Sequence, residues 1–177
     1  MKIVLLLTYG VSLKTWFETG LLERELSYYQ YLYKKFGIKT TVISYGNESD
    51  YLFLKKGKFK FIKIIPIYSI LPYNKVRLFR FFQSFFIFFK IQKYINEFDT
   101  IKTNQIWGSW VLLYPKIFLK KKILIRGGYE PFKNSINNDK YLIRLIFWIN
   151  SLIAYLLANR IIVTTQEIKN FIKTKFF

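Results

Sequence analysis

The chain has 177 residues, of which 29 are Lys or Arg and 10 are Asp or Glu, for a formal charge of +19; 52% of it is apolar and 21% aromatic. That length and apolar content fit one folded domain and exclude a disordered basic tail. With no His and no Cys, a Ser-His-Asp triad, a thiolate nucleophile, a disulfide and a conventional zinc site are all excluded.

The first apolar run, Ile3 to Leu7, spans five residues and leads into Thr8-Tyr9-Gly10. It is too short for a secretory leader and reads as a strand buried on both faces, which favours a parallel sheet. Without Cys to exploit an oxidising compartment, the expected location is cytoplasmic. From Gly20 to Phe36, Leu22, Leu26, Tyr29, Tyr33 and Phe36 recur at helical spacing opposite Glu23, Ser27, Gln30 and Lys34, and Gly37 reads as the C-cap. Lys39 to Tyr45 is β-branched and completes a first β-α-β unit. Residues 46–60 are polar and basic and read as a loop with at most one helical turn.

Four further strands are expected at Phe61 to Ile67, Phe98 to Thr103, Lys122 to Arg126 and Arg160 to Thr164. Helices are expected between most of them, at about Lys75 to Ile95, Trp107 to Leu119 and Asp139 to Leu157, with a last one from Gln166. This alternation predicts an α/β fold with a parallel sheet of about six strands and helices on both faces. After the last helix the chain ends at Phe176-Phe177, two aromatics with no evident cover, so it reads as one domain of a truncated or split protein.

In such sheets ligands bind beyond the carboxyl ends of the strands. After the first strand, a long loop runs from Thr8 to Thr19-Gly20 ahead of a helix start, an arrangement suited to phosphate. The plainer alternative makes Thr19 the N-cap of that helix and Gly20 a turn residue. No G-x-G-x-x-G or P-loop pattern occurs, which argues against a dinucleotide oxidoreductase or a P-loop NTPase. Asn104-Gln105-Ile106-Trp107-Gly108-Ser109-Trp110, after the fourth strand, combines two amides, a Gly and two indoles, suited to hydroxyls and a sugar face; its alternative is a cap with a buried Trp. Arg126-Gly127-Gly128-Tyr129-Glu130, after the fifth, joins a guanidinium fork to glycines that permit close approach. A turn requiring positive φ explains the glycines equally well. Thr164-Thr165-Gln166-Glu167 reads first as a cap.

Arg77 to Lys90 is apolar around most of its circumference, with basic residues flanking it. It is interrupted by charge and cannot span a bilayer, which leaves a core helix, the favoured reading, or a helix with one edge on lipid. Leu145 to Ala158 is too short to span and reads as a buried crossover helix interrupted by Asn150 and Ser151. The basic residues are scattered in short clusters with no nucleic-acid motif, so no nucleic-acid partner is expected.

In their order, Lys2 to Thr8, the loop ending Thr19-Gly20, the helix Leu21 to Phe36, Gly37 to Ser44, Asp99 to Gln105, Ile123 to Glu130 and Ala158 to Thr165 resemble the amino-terminal half of a GT-B fold glycosyltransferase of the retaining family four type. The resemblance covers almost the whole chain. It implies a Rossmann-like, acceptor-side domain over residues 1–177, whose carboxy-terminal donor-binding domain is missing from this sequence. It further implies that Thr19 and Gly20 face the donor diphosphate, and that Asn104, Gln105, Trp107, Arg126, Gly127, Gly128, Tyr129 and Glu130 line the acceptor cleft, with no catalytic residue assigned. Thr19-Gly20 stands where many members have two glycines, and the segment after the fifth strand lacks the His that is frequent there. No metal and no cofactor are expected, since there is no Asp-x-Asp and basic groups would balance the donor phosphates.

The activity expected from the resemblance is transfer of a sugar from a nucleotide-sugar to a cell-surface polysaccharide or lipid-linked glycan. The protein would lie peripherally at the inner face of the cytoplasmic membrane, with anionic lipid and a separate carboxy-terminal chain as partners. This chain alone would be inactive. The alternative is a non-catalytic membrane-surface binding module or a split-enzyme subunit.

Overall fold

The computed structural model describes residues 1–56, 59, 61–95, 97–136 and 140–177. The six expected strands are all present: β1 (Lys2–Leu6), β2 (Lys39–Ser44), β3 (Ile62–Pro66), β4 (Thr100–Thr103), β5 (Lys122–Gly127) and β6 (Arg160–Val163). They form one sheet in the order β3-β2-β1-β4-β5-β6, with every pair parallel. The chain is therefore α/β with a Rossmann-like sheet, and its strand order reverses between β1 and β4.

Alternation along β1 divides the core. Leu5 and Leu7 join Val42 and Ile64 on one face, under α1 (Leu13–Glu18) and α2 (Leu22–Phe36). Val4 and Leu6 join Ile43, Ile101, Ile123 and Ile125 on the other. That second face is covered by α4 (Arg77–Ser84), α5 (Ile87–Ile91), α6 (Leu113–Ile117), α8 (Tyr141–Leu157) and α9 (Gln166–Phe176); α3 (Asp50–Lys56) and α7 (Pro131–Ser135) are short connectors. Helix α2 ends as expected, with Gly37 at φ 66°.

Helix α1 lies where the sequence predicted only a loop. It is one and a half turns long, too short to persist alone, and it is held by Ser12 and Thr15 capping each other and by the buried carboxylate of Asp50. Asp50 accepts the Leu13 N–H at 3.2 Å, the Lys14 N–H at 3.1 Å and the Ser44 hydroxyl. Gly46 is needed for this approach, because a Cβ there would sit 1.9 Å from Asp50 Oδ2.

The helix expected from Lys75 to Ile95 is broken into α4, α5 and a 3₁₀ turn at Gln92–Tyr94. Ser84 causes the break: its hydroxyl folds back to the Phe81 carbonyl while accepting the Trp110 indole N–H at 2.7 Å. The stretch expected as a helix from Trp107 to Leu119 begins as a 3₁₀ turn, Ser109–Leu112, before α6. The predicted start of α8 at Asp139 lies outside the described residues, and part of the basic stretch 55–60 does too.

Helix α8 corrects a second expectation. It is not a buried crossover: Asn150, Ser151, Ala154 and Tyr155 face the core, while Leu142, Leu145, Ile149 and Leu156 are exposed. At the end of α9, Phe176 is covered by Phe132 and Tyr155, whereas Phe177 is exposed. Among the described residues, no helix is long and apolar enough to cross a membrane.

Replacing Asp50 by Ala strands two backbone N–H groups and a buried hydroxyl, so Asp50→Ala is expected to lower unfolding stability by about 2–4 kcal/mol. Gly46→Ala, which pushes the carboxylate away, should cost a similar amount in urea denaturation. A change within error for both would remove Asp50 as the anchor of α1.

Candidate functional site

The carboxyl ends of the strands gather three kinds of surface. At the reversal point, the loops after β1 and β4 close on each other. The Tyr9 N–H donates to the Trp107 carbonyl at 3.2 Å, and Gly108, at φ 98°, packs so close that a Cβ would lie 2.7 Å from Tyr9 Cβ. Trp107 is wedged between Trp110 and Phe147, with ring centroids 5.1 and 5.2 Å away. Its ring is thus turned to the α8 side of the sheet.

On the opposite side, at the ends of β4 and β5, polar groups converge. Arg126 Nη1 donates to Glu25 Oε2 at 2.6 Å and to Asn104 Oδ1 at 3.4 Å. Arg24 reaches the other Glu25 oxygen at 3.0 Å. Lys102 donates to the Tyr29 hydroxyl at 2.9 Å and lies over the rings of Tyr28 and Tyr29. Two guanidinium groups therefore hold one carboxylate, with the Lys102 ammonium near enough to feel its charge. Both Arg126 contacts use Nη1, which leaves Nη2 and the Nε–H without a partner among the described residues. This is an arrangement for an anionic or hydroxyl-rich group.

The titration of these groups follows from their surroundings. Burial alone would raise the Glu25 carboxyl, but hydrogen bonds and charge from Arg126 and Arg24 outweigh it and hold it below its ordinary value. Burial lowers the Lys102 ammonium, and repulsion from Arg126 adds to this while Glu25 opposes it. Tyr29 is raised, chiefly by burial.

Gly127 and Gly128 stand beside this cluster. Neither has a left-handed φ, so the turn explanation for the pair does not hold. A Cβ at either would meet its neighbours at 3.4–3.7 Å, which is ordinary contact. Gln105 accepts the Tyr129 N–H at 3.2 Å and so ties the loop after β4 to the loop after β5, with the Tyr129 ring exposed.

Glu130 has left the cluster. It is 1% exposed, caps α7 through the Phe132 N–H, and accepts the hydroxyls of Ser151 and Tyr155. A structural role on the α8 side of the sheet accounts for it fully. Thr19 caps the C-terminus of α1 rather than the N-terminus of α2, its hydroxyl donating to the Thr15 carbonyl at 2.8 Å. Gly20, at φ 69°, follows as the left-handed residue that ends α1, and the space around it is open. Thr165 is a cap as expected, accepting the Ile168 N–H.

A third surface was not foreseen. Beyond β1, β2 and β3, Ser12, Lys14, Tyr45, Asn47, Tyr68 and Tyr73 line a cavity of about 410 Å³. Arg80 of α4 holds one of these tyrosines, its guanidinium bonded to the Tyr73 hydroxyl at 2.9 Å and stacked 4.8 Å over that ring. Burial raises the Tyr68 phenol to about 12. Tyr45 is buried with its hydroxyl unpartnered among the described residues. A tyrosine after each of β2 and β3 was the available signal, hidden in a chain with 14 tyrosines.

Comparisons of this chain with protein-family models, curated proteins and solved structures gave no match.

The Glu25–Arg126 pair sets a pH dependence. With its folded-state carboxyl below the ordinary 4.5, Glu25 contributes its full stabilisation above that pH and loses it as the pH falls below. The stability difference between wild type and Glu25→Gln, measured by urea unfolding, should therefore shrink as the pH drops through and below 4.5. A difference independent of pH would mean the pair is not formed in solution.

Proposed function

We propose that this chain is the acceptor-side domain of a glycosyltransferase that moves a sugar from a nucleotide-sugar to a polysaccharide or lipid-linked glycan at a cytoplasmic membrane face. The observation that carries the reading is the cluster of Arg126, Lys102, Arg24 and Glu25 at the carboxyl ends of β4 and β5. Its excess of positive charge and the unengaged half of the Arg126 fork suit an anionic group of a glycan or donor. Two further features support it: the order of strands around the reversal point and the tyrosine-lined cavity beside α4, since aromatic faces pack on sugar rings.

In this reading the protein's own groups position and stabilise charge. Arg126, held by Glu25 and Asn104, presents Nη2 and Nε–H to the ligand. Lys102, kept from solvent by Tyr28 and Tyr29, adds a cation whose proton is held less tightly than usual. Gly128 keeps the approach beside Gln105 free of side chain. Phosphate charge would be met by these groups and by the open backbone at Gly20.

The second reading is a non-catalytic membrane-surface module or one chain of a split enzyme, and the exposed apolar residues of α4 and α8 favour it. One assay separates the two: radiolabelled sugar transfer by the product of the complete reading frame, supplied with nucleotide-sugars and a lipid-linked acceptor. Arg126→Ala should lower kcat/KM about 10- to 100-fold, the worth of a charge-assisted hydrogen bond. Unchanged turnover would remove Arg126 from the site, and absence of transfer with every donor would leave the binding module.

A further inference from the structure

Helix α8 is inside-out. Its core side carries Asn150 and Ser151, which are 2% and 0% exposed, while its outer side carries Leu142 at 69% and Leu156 at 68%. Leu145, Ile146 and Ile149 complete this outer stripe at helical spacing. Helix α4 does the same on a smaller scale, turning Leu78, Phe79 and Phe82 outward, and Phe86 and Phe89 continue the exposed row beyond it. In a water-facing helix the pattern would be reversed, so something apolar covers these faces.

The two helices lie on the same side of the molecule. Both pack on the same face of the sheet, and a row of rings beneath their outer faces links them: Phe81 of α4 lies 5.1 Å from the buried Trp110, Trp110 lies 5.1 Å from Trp107, and Trp107 lies 5.2 Å from Phe147 of α8. The charge around them is of one sign. No acidic residue occurs between Asp50 and Glu97 or between Asp139 and Glu167, the stretches that supply α4, α5 and α8. Lys75 and Arg77 precede the α4 row, Lys90 and Lys93 follow it, and Arg144 lies within α8. Exposed tyrosines, Tyr73 and Tyr141, stand at the starts of the two helices.

We propose that the outer faces of α4 and α8 together form a docking surface for an anionic lipid bilayer, with the aromatic and aliphatic side chains entering the headgroup–acyl boundary and the cations resting on the headgroups. A bilayer is the occupant that matches every part of the description. Exposed apolar residues with no acidic residue in their stretches of sequence, basic residues at the margins and the exposed rings of Tyr73 and Tyr141 at the helix starts are the pattern of an interfacial helix. At 17 residues, α8 is about 25 Å long, short of the roughly 30 Å needed to cross, so it lies on the membrane. The proposal rests on the reading of a lipid-linked acceptor for its purpose: Arg80 of α4 stacks on Tyr73, one of the residues that line the tyrosine-rich cavity, which ties that cavity to the helix set on the lipid.

The test is co-sedimentation of the full chain with phosphatidylcholine vesicles with and without phosphatidylglycerol, at low and high salt. Wild type should bind the anionic vesicles and retain part of that binding at high salt. The exposed pairs Phe79→Ser/Phe82→Ser and Leu145→Ser/Ile149→Ser should each weaken partition about tenfold or more, with thermal unfolding unchanged. Brominated lipid should quench Trp148, which lies on the outer half of α8, and Trp148→Phe should abolish that part of the quenching. Equal partition of variants and wild type, binding lost entirely at high salt, or an unquenched Trp148 would each overturn the insertion. A dimer that dissociates on dilution and is broken by the same substitutions would assign the face to a second copy and equally overturn it. Because this assay contains neither donor nor acceptor, it is independent of the transfer assay: vesicle binding here together with no transfer there would overturn only the glycosyltransferase reading.

Discussion

A right-handed crossover fixes which face of a parallel sheet its helix must cover, once the direction of travel across the sheet is set. Here the chain steps outward from β1 to β2 to β3 and then returns to pair β4 with the other side of β1. Helices formed before β3 fall on one face, and those formed from the return onward, α4 and α5 included, fall on the other. The pairing of Ile3–Leu6 with Thr100–Thr103 is thus the join at which the winding changes side. The contact of Gly108 with Tyr9 and the hydrogen bond from Tyr9 to Trp107 lock the two loops directly above that join.

The same winding leaves the two faces of β4, β5 and β6 unlike. One is roofed by α8 and its neighbours. The other carries Lys102, Leu124, Arg126 and Ile162, and the reach of α2 brings Glu25, Tyr28 and Tyr29 over it. Two basic side chains with one carboxylate between them are a consequence of that partial cover. Full burial would have required each cation to be matched, at several kcal/mol per ion left unpaired.

The strands were legible because parallel strands buried on both sides write continuous apolar runs, as Ile3 to Leu7 and Ile123 to Ile125 do, and α2 was legible from its spacing and from Gly37. Features that depend on distant partners were not. Helix α1 exists because Asp50, 36 or 37 positions away, satisfies its first N–H groups. At the break after Ser84, the hydroxyl that turns back on its own helix is held by the distant Trp110 indole. At the candidate site, Arg126 was visible as a charged end to an apolar strand, but its partner Glu25 is 101 positions away and no local pattern joins them. Glu130 looked equally eligible and is spent on α7 and α8. An apolar count could not tell which side of α8 faces the core.

That last ambiguity is resolved by the buried amide of Asn150. It accepts the Gly108 N–H and donates to the Ile106 carbonyl, each at 3.3 Å, while Ser151, the next residue, and Tyr155, a turn beyond that, engage Glu130. A helix apolar around its whole circumference has no preferred roll, since turning it exchanges one greasy side for another at little cost. Turning α8 by a single residue, about 100°, would strand all of these polar partners at once. Specificity of the helix's rotational setting is therefore carried by its few hydrophilic atoms, and its hydrophobic atoms supply adhesion without choosing a direction.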